Sequence, residues 1–190
     1  MTDKTTTDLE HFTAMEHSTA AHWDRIAHES MLAWSTTPDR ILGMLRQLAL
    51  ITNGFGVDQL VHGLQTATRA ERAGADAEVV VAALCHDIGK AISEPNHPAI
   101  AAALLRPYVR DDVAWMVEVH QDFQGRHYYT YLAKDPEARE RHVGHPAYAL
   151  AERFADEWDQ AAFDPDYDTL PLEHFEPLVR QVFEAPRYFY

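Results

Sequence analysis

The punctuation of this chain restricts its fold more than any other feature. Apolar segments of helix length follow one another, each opened by a side chain suited to cap a helix N-terminus. Asp58 precedes QLVHGLQTATRAERAG, which stops at Gly74, and Asp76 precedes AEVVVAALCHDIG, which stops at Gly89. Ser18 is placed to cap a helix running to about Trp34, and Pro38 occupies the first turn of a helix starting at Thr37. Asn96 opens a segment from His97 to about Leu105, Asp111 or Asp112 opens VAWMVEVH, and further helices fit 145–162 and 172–185. Short β-branched runs such as Val79-Val80-Val81 lie inside these capped segments, so they read as helix. The predicted class is all-α, a helical bundle. Residues 1–17 show no periodicity and read as an N-terminal arm, leaving 18–190 as a single domain, which is long enough to bury a core without covalent staples.

Charge and composition remove several function classes. The 16 Lys and Arg face 30 Asp and Glu, a formal charge of −14. Nucleic acid is therefore an unexpected partner, because its backbone is held by clustered Lys and Arg. No apolar run is long enough to span a bilayer, and the polar N-terminal stretch has no h-region of a secretory signal. The one cysteine, Cys85, excludes a disulfide framework and a cysteine-based zinc site, and it suits a reducing cytoplasm. What stands out is 12 histidines. Histidine is the commonest metal ligand and the usual acid–base group near neutral pH.

Four of them arrive in a pattern. His86-Asp87 sits at the end of an apolar helix, before Ile88-Gly89-Lys90. Neighbours on a helix point about a hundred degrees apart, but at a fraying end both can turn toward one site. An imidazole and a carboxylate together suit zinc, iron or manganese, and a carboxylate can bridge two ions. Taken alone the pair is also explained as a helix C-terminus with a capping Asp. His62, however, lies on the preceding helix, His97 opens the next and His120 closes the one after. Successive helix segments each delivering a histidine are what a metal site in a bundle core requires. A carboxylate from the C-terminal third would complete it, and EWDQAAFDPDYD offers Asp156, Asp159, Asp164, Asp166 and Asp168. Asp159 is on the helix itself, next to Trp158 and one turn after Ala155, whereas the others are read as falling in a Pro-containing loop. The remaining histidines His11, His17, His22, His28, His142, His145 and His174 occupy capping or exposed-looking positions and are given no role.

The order His62…His86-Asp87…Asp159 resembles the H…HD…D signature of the HD-domain superfamily, and the added His97 and His120 resemble its six-ligand, two-metal version. Within that superfamily the chain is similar, over roughly residues 55–185, to the mixed-valent diiron oxygenases. These are myo-inositol oxygenase and the HD-domain oxygenases that cleave organophosphonates. The segment WDQAAFDPDYDTLPLEHFEPLV resembles their C-terminal stretch, where the Asp after an aromatic is a ligand. The resemblance implies an HD-type bundle with a dinuclear iron site, Fe(II)/Fe(III), in its core and O2 as co-substrate. Asp87 would bridge the ions, with His62, His86 and Asp159 completing one and His97 and His120 the other. It implies C–P cleavage of a small α-hydroxyphosphonate to a carboxylic acid and phosphate. Two iron ions carry more positive charge than Asp87 and Asp159 remove, so an acidic chain can still hold an anionic substrate.

Substrate-facing candidates follow from the same comparison. Lys90 matches a substrate-contacting lysine of the inositol enzyme, and it is equally explained as a cation at a helix C-terminus. Gln124, Arg126 and His127 follow His120 in a loop where a cation or imidazole meets an anion, or where polar residues simply face water. Where a primary-amine oxygenase of the group holds an ammonium with a carboxylate this chain has Phe55, and Thr52 stands where a tyrosine is expected. An aromatic there suits a quaternary ammonium, which prefers π faces, and Tyr128, Tyr129, Trp23 and Trp34 are further candidate walls. The expected substrate carries a trimethylammonium group and gives glycine betaine. A metal-dependent phosphohydrolase is the alternative, since His86-Asp87-Ile88-Gly89-Lys90 suits it equally. A silent metal-binding or ligand-sensing domain is a third reading.

Overall fold

The computed structural model describes residues 11–188, so residues 1–10 of the expected arm lie outside the described residues. Eight α-helices and several short 3-10 turns are formed, with no strand among the described residues. These residues fall into two compact units, one up to Thr37 and one from Pro38 onward. In the first, Met15–His17 makes a 3-10 turn and α1 spans Ala20–Ser35. The cap of α1 is Thr19 rather than the expected Ser18. Thr19 and His22 form a reciprocal capping box, in which each backbone N–H is met by the other's side chain. Ser18 is instead occupied with the Met15 carbonyl and the Trp23 indole N–H.

The second unit begins within α2, Thr37–Gln47, whose Ile41, Leu42 and Leu45 are buried. Helices α3 (Gln59–Arg72) and α4 (Ala77–Cys85) start where the sequence places them, with Asp58 accepting from the Val61 N–H and Asp76 from those of Glu78 and Val79. Helix α4 is buried along its length from Val79 to Cys85, which is why its sequence is apolar on every face. Burial also pushes the Cys85 thiol up to about 12, leaving it a packing group and not a nucleophile. Next come α5 (His97–Leu105) and α6 (Asp111–Gln124). They are followed by α7 (Tyr148–Arg153) and α8 (Leu172–Val182).

Several boundaries differ from expectation. Helix α4 stops at Cys85, four residues before Gly89, and a separate 3-10 turn forms over Ile88–Ala91. Asn96 precedes α5 but makes no side-chain cap. Helix α6 runs past His120 to Gln124, because Phe123 is also buried. The segment expected as one helix over 145–162 is the short α7 continued by a π-helical turn, Phe154–Asp159, in which the Gln160 N–H reaches back to the Ala155 carbonyl. The extra residue in such a turn is invisible to a 3.6-residue periodicity, and it turns Trp158 and Asp159 into the core.

Helices α3 and α4 touch at Gly63, where a Cβ would stand 2.8 Å from the Leu84 carbonyl oxygen. This contact lies beside His62 on one helix and His86 at the end of the other, so it sets how closely those two rings meet. Gly63→Ala tests it. In an open helix the change would stabilise by about 1 kcal/mol, whereas overpacking against backbone costs roughly 1–3 kcal/mol. The expected outcome is a melting temperature lower by roughly 2–12 °C in a circular dichroism melt; a rise would mean the two helices have room.

Candidate metal centre

The helices bring four imidazoles and two carboxylates together. His62 comes from α3, His86 from the residue after α4, His97 from the first position of α5, and His120 from the C-terminal half of α6. Asp87 follows His86 with φ −102° and ψ 6°, so the chain is already leaving the helix there and both side chains face one site. Asp159 closes the π-helical turn. All six are at most 3% exposed. Gly89 makes this possible, since a Cβ there would lie 2.3 Å from the His97 carbonyl oxygen. The spacing of His86-Asp87-Ile88-Gly89 therefore lets the start of α5 sit against the turn and deliver His97.

Every one of the four rings is anchored in the same way. Nδ1–H donates to a backbone carbonyl: Ala162 for His62 at 3.0 Å, Ala83 for His86 at 2.8 Å, Glu94 for His97 at 2.7 Å and Val117 for His120 at 2.7 Å. A carbonyl only accepts, so Nδ1 carries the hydrogen and each neutral ring presents its lone pair from Nε2. Those lone pairs converge. The Nε2 atoms of His62 and His86 are 3.1 Å apart, and Asp159 Oδ1 lies 3.1 Å from the first and 3.4 Å from the second. Asp87 divides its oxygens, Oδ2 standing 3.5 and 3.4 Å from His62 and His86, and Oδ1 3.0 and 3.5 Å from His97 and His120.

This donor set fits metal ions. Asp87 Oδ1 and both Asp159 oxygens are buried without a hydrogen-bond partner. Two desolvated carboxylates facing lone pairs are strongly unfavourable unless positive charge lies among them. The Lys90 ammonium, 2.7 Å from Asp87 Oδ2, supplies one cation at the edge. His62, His86 and Asp159 form one compact triple, and His86, Asp87 and His120 a second; His97 joins through Asp87 Oδ1. Nitrogen and carboxylate oxygen donors of this kind suit zinc, iron or manganese. Without an ion, a proton takes the cation's place. Burial pushes the His86 imidazole down, but the Asp87 and Asp159 carboxylates outweigh it and hold the group at about 10. Burial raises Asp87 and Asp159, and His86 and its neighbours reverse that, holding both below the ordinary carboxylate range. His120, where burial dominates, is lowered.

A cavity of about 450 Å³ opens on this cluster. His62, Asp87, His97 and His120 reach its wall, whereas His86 and Asp159 lie behind it. Of the expected substrate contacts, Lys90, Phe55, Gln124 and His127 line it. Arg126 does not: it is exposed, one residue before His127 in the 3-10 turn Gly125–His127, where successive side chains diverge by about 120°. Lys90 is not a free helix-end cation, since its ammonium also donates to Gln59 Oε1 at 2.8 Å. Phe55 stacks on Phe163, with ring centroids 4.6 Å apart, and Phe163 stacks on His62 at 4.3 Å. Tyr128 lines the cavity, while Tyr129 is buried outside its wall.

Some wall residues carry no signal in the linear chain. Gln121, Gln160, Glu94 and Phe163 belong to it, and only their closeness to His120, Asp159 and His97 hints at this. The other carboxylates of the C-terminal third are engaged elsewhere, Asp156 with His127 and Arg139, Asp164 with the Asp166 N–H, and Asp168 with Arg72. His142 pairs with Asp122 and His174 with Glu71, and His145 stacks on Trp115.

Two outcomes are expected. His120→Ala removes one of the donors beside Asp87 Oδ1 without disturbing the His62, His86 and Asp159 triple. Metal analysis should therefore give about half the metal per chain, with an unchanged helical spectrum; full retention would remove His120 from the ligand set. The second outcome concerns pH. The raised His86 value stabilises the metal-free fold fully below pH 6.5, and that contribution fades as pH rises through about 10. A metal ion must displace this proton. Loading near neutral pH should release protons into weak buffer, read with an indicator dye, and affinity should rise with pH. Loading without proton release would contradict a protonated His86.

No helix among the described residues is long and apolar enough to cross a membrane. No curated protein matches the chain. Comparison with protein families matches the HD domain to residues 60–159, more than half of the chain and a span that contains all six cluster residues. With His62, His86-Asp87 and Asp159 in the order and the geometry described, the chain belongs to the HD-domain family.

Proposed function

We propose that this chain is an iron-dependent oxygenase that uses O2 to cleave the C–P bond of a small α-hydroxyphosphonate bearing a trimethylammonium group, giving glycine betaine and phosphate. One observation carries the reading. Asp87 offers one oxygen to His62 and His86 and the other to His97 and His120, so the donors divide into two sets around a shared carboxylate. That division supports a site for two ions. His62, His86, Asp159 and Asp87 would hold one, and His97, His120 and Asp87 the other. Two iron ions, as Fe(II)/Fe(III), would supply Lewis acidity toward the substrate's oxygens and the electron exchange that O2 requires.

The chain's own residues do the rest. Lys90, fixed between Asp87 and Gln59, is a point charge for a phosphonate at the mouth of the cluster. Gln121, Gln124 and Gln160 offer hydrogen bonds along the wall. The stacked Phe55 and Phe163 share the cavity with Glu94, to which the Asn53 amide donates at 3.2 Å. A π face and a carboxylate together suit a methylated ammonium, each such contact being worth about 0.5–2 kcal/mol. The reaction balances without an external reductant. The C–H and C–P bonds break, one oxygen atom is added at carbon and one at phosphorus, and a dianionic phosphonate releases one proton.

The test is O2 uptake by anaerobically iron-loaded protein against a panel of α-hydroxyphosphonates, polyols and phosphate esters. One O2 should be consumed per phosphate released, with the electron paramagnetic resonance signal of a coupled Fe(II)/Fe(III) pair that shifts on substrate addition. Turnover of phosphate esters without O2 would instead make the chain a phosphohydrolase. Phe55→Ala should raise KM about tenfold more for the trimethylammonium substrate than for an analogue lacking that group. Equal losses would remove the aromatic site.

A further inference from the structure

The largest fully buried side chain of the described residues is a cation. Arg139 is 1% exposed, on the 3-10 stretch Ala138–His142. Its Nη1 donates to Asp156 Oδ2 at 3.0 Å and stands 3.7 Å from Glu152 Oε1, while Nε and Nη2 have no hydrogen-bond partner. Burying a guanidinium with unmet donors costs more than an apolar side chain of the same size would, so its place calls for a reason. Asp156 points to one. Its other oxygen, Oδ1, accepts from His127 Nε2 at 3.0 Å, and His127 stands in the wall of the metal-side cavity. The three residues form a line from the core to the site. Asp156 shares the π-helical turn of Asp159, and His127 follows the helix of His120.

The chemistry of this line is specific. A carboxylate oxygen only accepts, so Nε2 carries the hydrogen and a neutral His127 keeps its lone pair on Nδ1. Nδ1 bonds to no described residue. Against the effect of burial, Arg139 and His127 hold the Asp156 carboxyl below its ordinary value, so it stays an acceptor. We propose that Arg139 and Asp156 are positioning residues that hold His127 in the Nε2–H tautomer, and that His127 Nδ1 takes the proton of the substrate's hydroxyl group. This rests on the hydroxyphosphonate reading above. In the step the O–H bond breaks, an N–H bond forms at Nδ1 and the electron pair stays on the substrate oxygen. The imidazolium is met by Asp156 and, with its side chain 38% exposed, passes the proton to water. This is the one proton that the balanced reaction releases.

Asp156→Asn is the decisive variant. Arg139 needs an acceptor, so the amide oxygen turns to it and the amide N–H2 faces His127 Nε2, which inverts the tautomer. The first readout needs no turnover: nitrogen-15 shifts of His127 in the metal-free full chain should show a bare Nδ1 in the wild type and a bare Nε2 in Asp156→Asn. The second readout is kinetic. With two metals per chain retained, kcat should fall about 100-fold with KM changed less than threefold, the size expected for a lost proton acceptor in the wrong tautomer. Asp156→Asn combined with His127→Gln should be no slower than His127→Gln alone, and Arg139→Lys should keep most of the rate. A wild-type ring protonated at Nδ1, or additive losses in the double variant, would overturn the proposal. If the wild type oxidises no hydroxyphosphonate, the functional reading fails and the proton-acceptor role with it, while the nitrogen shifts still decide the positioning of His127.

Discussion

Two carboxylates in the core of an apolar bundle are the constraint on which the rest depends. Asp87 and Asp159 are at most 3% exposed, and three of their four oxygens lack a hydrogen bond. Such groups are tolerated only if positive charge comes to them. The surrounding helices are arranged to that end. Four histidines each give their Nδ1–H to a carbonyl within a turn or across the core, which frees every Nε2 for the cluster. The electrostatics then favour a bound cation, with a proton on His86 as the substitute when no cation is there.

Close backbone contact turns that requirement into geometry. Gly63 admits the Leu84 carbonyl and Gly89 admits the backbone of His97, so the imidazoles approach to distances a side chain at either position would prevent. The π-helical turn does the same for the last residue of the cluster. By placing one extra residue between Phe154 and Asp159 it turns Asp159 inward and leaves Asp156 toward His127 and Arg139. Two carboxylates three residues apart thus acquire different environments, one fully enclosed beside the imidazoles and one partly exposed beneath the cavity wall.

Much of the candidate site was legible in the linear chain because its ligands carry local signals. His86-Asp87 with Gly89 is a motif, and His62, His97 and His120 each sit on a capped segment whose phase is set by nearby apolar residues. Asp159 stands apart from Asp164, Asp166 and Asp168, which lie in a Pro-containing loop, but Asp156 shares its π-helical turn and only the fold separates the two. The cavity wall was less legible. Phe163, Gln121, Gln160 and Glu94 are ordinary residues until the chain folds back, and Arg126 and His127 differ only by one step of a 3-10 turn.

The sequence by itself determined the all-α class, the starts of α3 and α4 and the identity of the cluster residues, because caps and hydrophobic phase act over a few neighbours and need no long-range contact. Only the tertiary structure decided how Asp87 splits its oxygens, that Lys90 is tied to Gln59 and Asp87, and that a buried Arg139 reaches His127 through Asp156. Those depend on which helix faces which, and close approach across a core is settled by packing among residues far apart in the chain.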